Sequence, residues 1–246
     1  MTYVYRKIYC CLILGLLSLL VVGCGTTNGR TNTSENTVIG SKYVVQKLVE
    51  VNPFHSVQID NYDVILVQDT SYYVRISGED NIIDEIKFVS ENGVITAHVN
   101  PLTNLKPRKK IEIYVHFVDI SEVNTEKAHY ESLGSITLDS LQITSRTTEY
   151  SLEVDVDYLR VDLSGRSLDR GVLFATGTAD SCDVSLTGNG SFESPNLHGQ
   201  NCQIIFQETS LYRIKKDHWV ETNVPSSSNR LRKIGNVLAN VFAFTF

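Results

Sequence analysis

Glu153, Asp155 and Asp157 alternate with Val154 and Val156, a spacing that sets three carboxylates on one face of an extended strand. Asp162 follows on the next strand segment, and Arg160 and Arg166 are close by in the chain. Aligned carboxylates offer the hard oxygen shell that Ca²⁺ prefers. With a basic residue beside them, such a surface can abstract a proton from a polysaccharide. The same alternation is also what any solvated strand face requires when valines point inward, so plain surface is the first expectation for these residues and a calcium or ligand face the sharper alternative. No other catalytic constellation stands out. The six histidines, His55, His98, His116, His129, His198 and His218, are isolated and lack metal-ligand spacing, and no phosphate loop, cofactor motif, paired Cys-x-x-Cys or Ser-centred hydrolase motif is present. The expectation is therefore no catalytic residue, no resident metal and no cofactor.

Cys24 carries a clearer chemical signal. Arg6 and Lys7 precede an uncharged apolar stretch from Ile8 to Val22, and Val21-Val22-Gly23-Cys24 closes it in the manner of a lipoprotein signal. Residues 1–23 are expected to be removed and the Cys24 thiol to take a lipid, which gives stable attachment to a membrane when two or three acyl chains are present. Gly25, rather than Asp, follows the cysteine and favours the outer membrane by analogy with Gram-negative sorting. Residues 24–42 begin with a polar run free of apolar periodicity and read as a flexible tether. Of the five cysteines, Cys10 and Cys11 leave with the signal, so Cys182 and Cys202 remain in an oxidising compartment, as a disulfide or as two buried thiols.

These residues need a scaffold, and composition names its class. Val 27, Ile 19 and Thr 20 stand against 6 Ala in 246 residues, a bias toward β-branched side chains that suits strands and not helices. At 42% hydrophobic and 20% charged the chain can bury a core. The formal charge of -6, which becomes -8 once Arg6 and Lys7 are gone, argues against nucleic acid as a partner, since phosphate binding needs clustered Lys and Arg. The compact basic run Lys106-Pro107-Arg108-Lys109-Lys110 reads as a solvated turn.

Along the chain, apolar residues alternate in short runs from Tyr43 onward, and Glu91-Asn92-Gly93 marks a hairpin between 86–89 and 94–99. One helical turn fits residues 81–85. The second half repeats: Leu141-Gln-Ile-Thr, Leu159-Arg-Val-Asp-Leu-Ser-Gly165, Cys182-Asp-Val-Ser-Leu-Thr-Gly188 and Cys202-Gln-Ile-Ile-Phe206 start 18, 23 and 20 residues apart. A second strand type interleaves with them, beginning near Ser135, Ser151, Gly171 and Gly190. About 20 residues per unit with Gly, Asn or Asp corners suits a parallel β-solenoid, whose coils bury their inward residues only by stacking. A β-sandwich is the competing architecture. In a solenoid Cys182 and Cys202 become stacked neighbours, about 4.8 Å apart along the ladder.

The runs Gly134-Ser-Ile, Leu163-Ser-Gly165, Gly177-Thr-Ala179, Leu186-Thr-Gly-Asn-Gly-Ser-Phe-Glu193 and Asn196-Leu197, with the opening Phe54-His-Ser-Val-Gln-Ile-Asp60, resemble the bacterial auto-transporter adhesin head GIN domain family over residues 50–215. The resemblance implies a right-handed parallel β-helix and a secreted or lipid-anchored protein, and it brings no catalytic residues. Residues 43–220 are thus expected to form the all-β solenoid, more irregular toward its N-terminal part. Residues 221–246 hold a Pro225-Ser-Ser-Ser228 linker and an amphipathic tail with Leu231, Ile234, Leu238, Val241 and Phe242 at helical spacing. The function expected is a non-enzymatic binding, adhesion or structural module of the cell envelope, with a glycan or another envelope protein as partner. The alternative is a calcium-dependent, polysaccharide-active β-helix enzyme.

Overall fold

Strands built from alternating apolar residues leave half of each strand needing cover, and this chain supplies the cover by winding upon itself. A computed structural model of the protein describes residues 36–166, 169–207, 209–214 and 219–223. All lie in one unit, Asn36–Phe246, and the segments read from the sequence as signal and tether up to residue 35, Cys24 among them, and the tail beyond residue 223 fall outside the described residues. The second half is a parallel β-solenoid of about five turns. Its strands His129–Ser145, Glu149–Arg166, Val172–Gly188 and Asn196–Phe206 pair in parallel, one upon the next.

The register matches the sequence repeat residue for residue: Leu141 pairs with Leu159, Leu159 with Cys182 and Cys182 with Cys202. The interleaved strand type resolves into two faces instead of one. One ladder runs through Tyr130, Tyr150, Leu173, Phe192 and Tyr212, and another through Ile136, Val154, Gly177 and Leu197. Each coil is therefore three-sided. In the second coil the bend between these two faces falls within an unbroken alternation, with Tyr150, Leu152 and Val154 all buried, so a pattern of period two carries no mark of where one face ends. The inward columns are buried except at the half-buried Gly177, with Tyr130, Tyr150, Leu159, Val161, Phe192 and Ile204 fully enclosed. A Leu or Phe so enclosed contributes roughly 1.5–3 kcal/mol relative to exposure.

Toward the N-terminus the winding gives way to a mixed sheet. Val44–Glu50 lies antiparallel to Tyr73–Glu79, which lies antiparallel to Glu112–Phe117. Glu112–Phe117 then pairs in parallel with Asp63–Gln68, and that strand joins the first coil through Tyr130. The hairpin at Asn92-Gly93 forms between Lys87–Glu91 and Val94–His98, with both turn residues at positive φ. The helical turn is Asp80–Ile83. Within residues 24–42, expected to be a flexible tether, Asn36–Ile39 is a strand paired in parallel with Thr103–Lys106. The buried Glu79 carboxylate explains how these polar residues are held. It accepts the backbone N–H groups of Lys42 at 2.6 Å, Arg108 at 2.6 Å and Lys109 at 3.1 Å. Gly40 packs so closely on Glu79 that a Cβ there would collide with the carboxylate. At the other end the last strand, Trp219–Asn223, runs past the expected boundary at residue 220.

Candidate functional site

The outward residues of the face that carries Tyr130, Tyr150 and Leu173 inside form an open groove of about 500 Å³. Its lining includes His129, Glu149, Arg170, Val172, Phe174 and Glu193. Strand alternation puts them there. His129, Glu149 and Val172 are successive register partners along the ladder, and Phe174 lies two residues on from Val172, so it points the same way. Arg170 enters from the short antiparallel return strand Asp169–Arg170. Phe174 is 37% exposed and offers an aromatic side chain to the groove. His129 Nε2 lies 2.8 Å from Glu131 Oε1, and Glu193 accepts the Ser191 hydroxyl at 3.3 Å. The groove thus combines an aromatic plate, a guanidinium, an imidazole and two carboxylates. That set can donate to and accept from several hydroxyls at once while stacking on an apolar ring face.

The acidic strand lies elsewhere. Glu153 and Asp155 sit on the second side of the coil, exposed and spread along the strand. The neighbours of Glu153 across the ladder are Ser135 and Thr176, and those of Asp155 are Thr137 and Thr178. Thr178 donates its hydroxyl to Asp155. Asp157 is exposed at the bend before the third side, and Arg160 is paired with Asp162 at 2.9 Å. The three carboxylates do not converge, and among the described residues no group of three or more His, Cys, Asp and Glu is placed to hold a metal ion.

A second cluster has no signal in the sequence. Tyr73 stacks on His116 with ring centroids 4.0 Å apart at 14°, and both bond to Asp69 Oδ2, the Tyr73 hydroxyl at 2.9 Å and His116 Nδ1 at 3.0 Å. The Thr70 amide, then the Tyr73 hydroxyl and His116, hold the Asp69 carboxyl down to about 2. Beside them the Arg75 guanidinium lies 3.7 Å from the Tyr114 ring centroid. Tyr73 and His116 are register partners on antiparallel strands 43 residues apart, a proximity that the alternation of each strand alone cannot reveal. The neighbouring Tyr72 is also engaged, packing edge-on against Phe54 and bonding to the Asp119 carbonyl at 3.2 Å.

Cys182 and Cys202 are free, buried thiols at matched positions on adjacent coils. The hydrogen bond to Cys202, together with burial, pushes the Cys182 thiol up. The basic run serves the scaffold. Arg108 and Lys109 offer their amides to Glu79, while Lys110 Nζ bridges Asp63 at 3.2 Å and Glu112 at 3.3 Å.

A stacked parallel solenoid with an irregular sheet at its N-terminal side and an open groove on one flank defines the class of protein. Residues 53–228 match the family described as "Putative auto-transporter adhesin, head GIN domain", and the chain belongs to that family, whose function is unknown. Among solved structures it is similar to one described as a putative adhesin from Bacteroides fragilis, with a TM-score of 0.63 at 16% identity over 76% of this chain and 97% of that one. A protein from Parabacteroides distasonis described as a putative lipid binding protein superposes with a TM-score of 0.58 at 13% identity, covering 78% of this chain and 98% of that one. A putative adhesin from Parabacteroides merdae does so with a TM-score of 0.50 at 14% identity, covering 78% and 95%. At these identities the likeness concerns the fold. A comparison with curated proteins gives no match. Among the described residues no helix is long and apolar enough to cross a membrane.

Proposed function

We propose that this chain is a non-enzymatic binding module of the bacterial cell envelope, tethered by lipid at Cys24 and using the flank of its solenoid to hold a glycan. The observation that carries the reading is the groove in which the exposed Phe174 ring lies among Arg170, Glu149, Glu193 and His129. A sugar ring has an apolar face that stacks on an aromatic plate and an equatorial rim of hydroxyls that matches planar carboxylate and guanidinium groups. The groove walls are strands locked into a ladder, so little order has to be imposed on binding. The lipid reading rests on the Val21-Val22-Gly23-Cys24 run, and outer-membrane placement on Gly25.

The test is a glycan array probed with the mature chain, followed by titration of the best ligand. Phe174→Ala is expected to weaken binding about tenfold, the loss of roughly 1.4 kcal/mol of stacking, with an unchanged melting temperature. Binding that survives both Phe174→Ala and Glu149→Ala unchanged would remove the groove from the account. Release of shortened chains from a bound polysaccharide would replace the binding module with an enzyme. Incorporation of labelled palmitate into the wild type and its loss in Cys24→Ser checks the tether.

A further inference from the structure

Over four successive coils the inward column at the start of the third side reads Leu141, Leu159, Cys182, Cys202 along the ladder. The two early coils fill this position with leucine and the two later ones with cysteine. These are also the only cysteines beyond Cys24, so the whole remaining thiol content of the chain falls in one column, one coil apart. The two Cα atoms are direct partners on adjacent parallel strands, a separation of about 4.8 Å. That lies inside the range of roughly 4.4–6.8 Å over which a disulfide closes without backbone movement. Cys182 is fully buried, Cys202 is 3% exposed, and the two thiols are within hydrogen-bonding reach of each other.

We propose that in the exported protein Cys182 and Cys202 are joined by a disulfide that staples two successive coils near the C-terminal end of the solenoid. The oxidant is a protein disulfide of the oxidising envelope. One cysteine thiolate attacks it to give a mixed disulfide, and the second displaces the oxidant's remaining sulfur. Two S–H bonds are lost and one S–S bond forms in this chain. The oxidant's S–S bond is cleaved to two thiols, which take up the two electrons and two protons. Because both sulfurs are enclosed in the folded coil, exchange takes place while the last coils are still assembling. The staple suits its place. Coils in the middle of a stack are held from both sides, whereas those near an end have fewer neighbours to resist fraying. This inference is independent of the groove and rests on export.

The experiment uses the full chain produced with its own signal and purified from the envelope, alkylated with iodoacetamide under denaturing conditions without reductant, and mapped by mass after proteolysis. The expected product is a Cys182 peptide linked to a Cys202 peptide, two hydrogens lighter than their sum and separated by reductant. Reduction is expected to lower the melting temperature by about 6–12 °C, the effect of a cross-link closing a loop of roughly 20 residues in a domain of this size. Cys202→Ala is expected to melt at one temperature with and without reductant. Alkylation of both cysteines in the unreduced envelope protein would overturn the proposal, as would a link from either one to a second chain. Absence of the chain from the envelope would overturn the export on which it depends.

Discussion

Replacing Tyr130 with Phe removes one oxygen from the core, and the structure sets how much that oxygen is worth. The Tyr130 side chain is fully buried. Its hydroxyl accepts the Ile59 N–H at 3.2 Å and donates to the Ile59 carbonyl at 2.9 Å, so one atom satisfies both backbone groups of a residue that is itself fully enclosed. Those groups are fixed by the chain and cannot turn toward another partner. Each buried polar group left unpaired costs about 1–3 kcal/mol, which puts Tyr130→Phe at about 2–5 kcal/mol. For a domain of this size that is a fall of roughly 4–20 °C in melting temperature. Tyr150→Phe is the matched control. It lies in register with Tyr130 on the next coil and is equally enclosed, with the rings 5.4 Å apart, but its main partner is the Thr125 hydroxyl at 2.7 Å. Thr125 also donates to the Thr148 hydroxyl at 3.1 Å and keeps that partner when Tyr150 loses its oxygen, so this variant is expected to lose only about 1 kcal/mol. Differential scanning calorimetry of the two variants, with circular dichroism to confirm the strand content, measures the difference. A Tyr130→Phe protein that melts with or above Tyr150→Phe would refute the reasoning, because it would mean that the Ile59 groups are satisfied in some other way.

Two glycines and two carboxylates give further tests. Gly177 has φ of +105° and a Cβ there would collide with the Val154 carbonyl oxygen, a backbone atom that cannot swing aside, so Gly177→Ala is expected to cost more than about 3 kcal/mol or to prevent folding. Gly134, with φ of +84° and open space around its Cβ position, bears only the conformational penalty, and Gly134→Ala is expected to cost about 1–2 kcal/mol by chemical denaturation. Burial pushes the Glu79 carboxyl up, but the amides of Arg108, Lys42 and Lys109 outweigh it and leave the group below its ordinary range; Asp69 is held at about 2. Folded values below unfolded ones stabilise the protein above about pH 4.3 and withdraw that stability as pH falls through the folded values. Melting temperature is therefore expected to hold from pH 7 to 5 and to fall between about pH 4.5 and 2, with a shallower fall in Asp69→Asn, in a pH series of thermal scans. An unchanged acid limb in that variant would count against the Asp69 cluster.

Much of the solenoid is legible in the chain because its repeat is a contact map in disguise. The starts at Leu141, Leu159, Cys182 and Cys202 are themselves register partners. The third side of the coil is not legible, because the break between Tyr150 and Val154 lies inside one alternating run, Tyr150-Ser-Leu-Glu-Val. Glu79 is misleading in another way. It follows Tyr73, Arg75 and Ser77 at outward spacing, yet it is fully buried because residues 40–42 and 108–109 close over it. The acidic strand has a strong pattern and no convergence, whereas Phe174, Arg170 and Glu149 have no shared pattern and line one groove.

By itself the sequence determined the β-class, the length of the repeating unit and the stacked cysteines, since each is written in composition or in spacing along the chain. Only the tertiary structure decided which outward residues stand together. Alternation says that a side chain points out, but register, accumulated over bends and over returns of about 20 residues, says what stands beside it. A single bend in the coil is enough to move Glu153 away from the groove that Glu149, four residues earlier, helps to line.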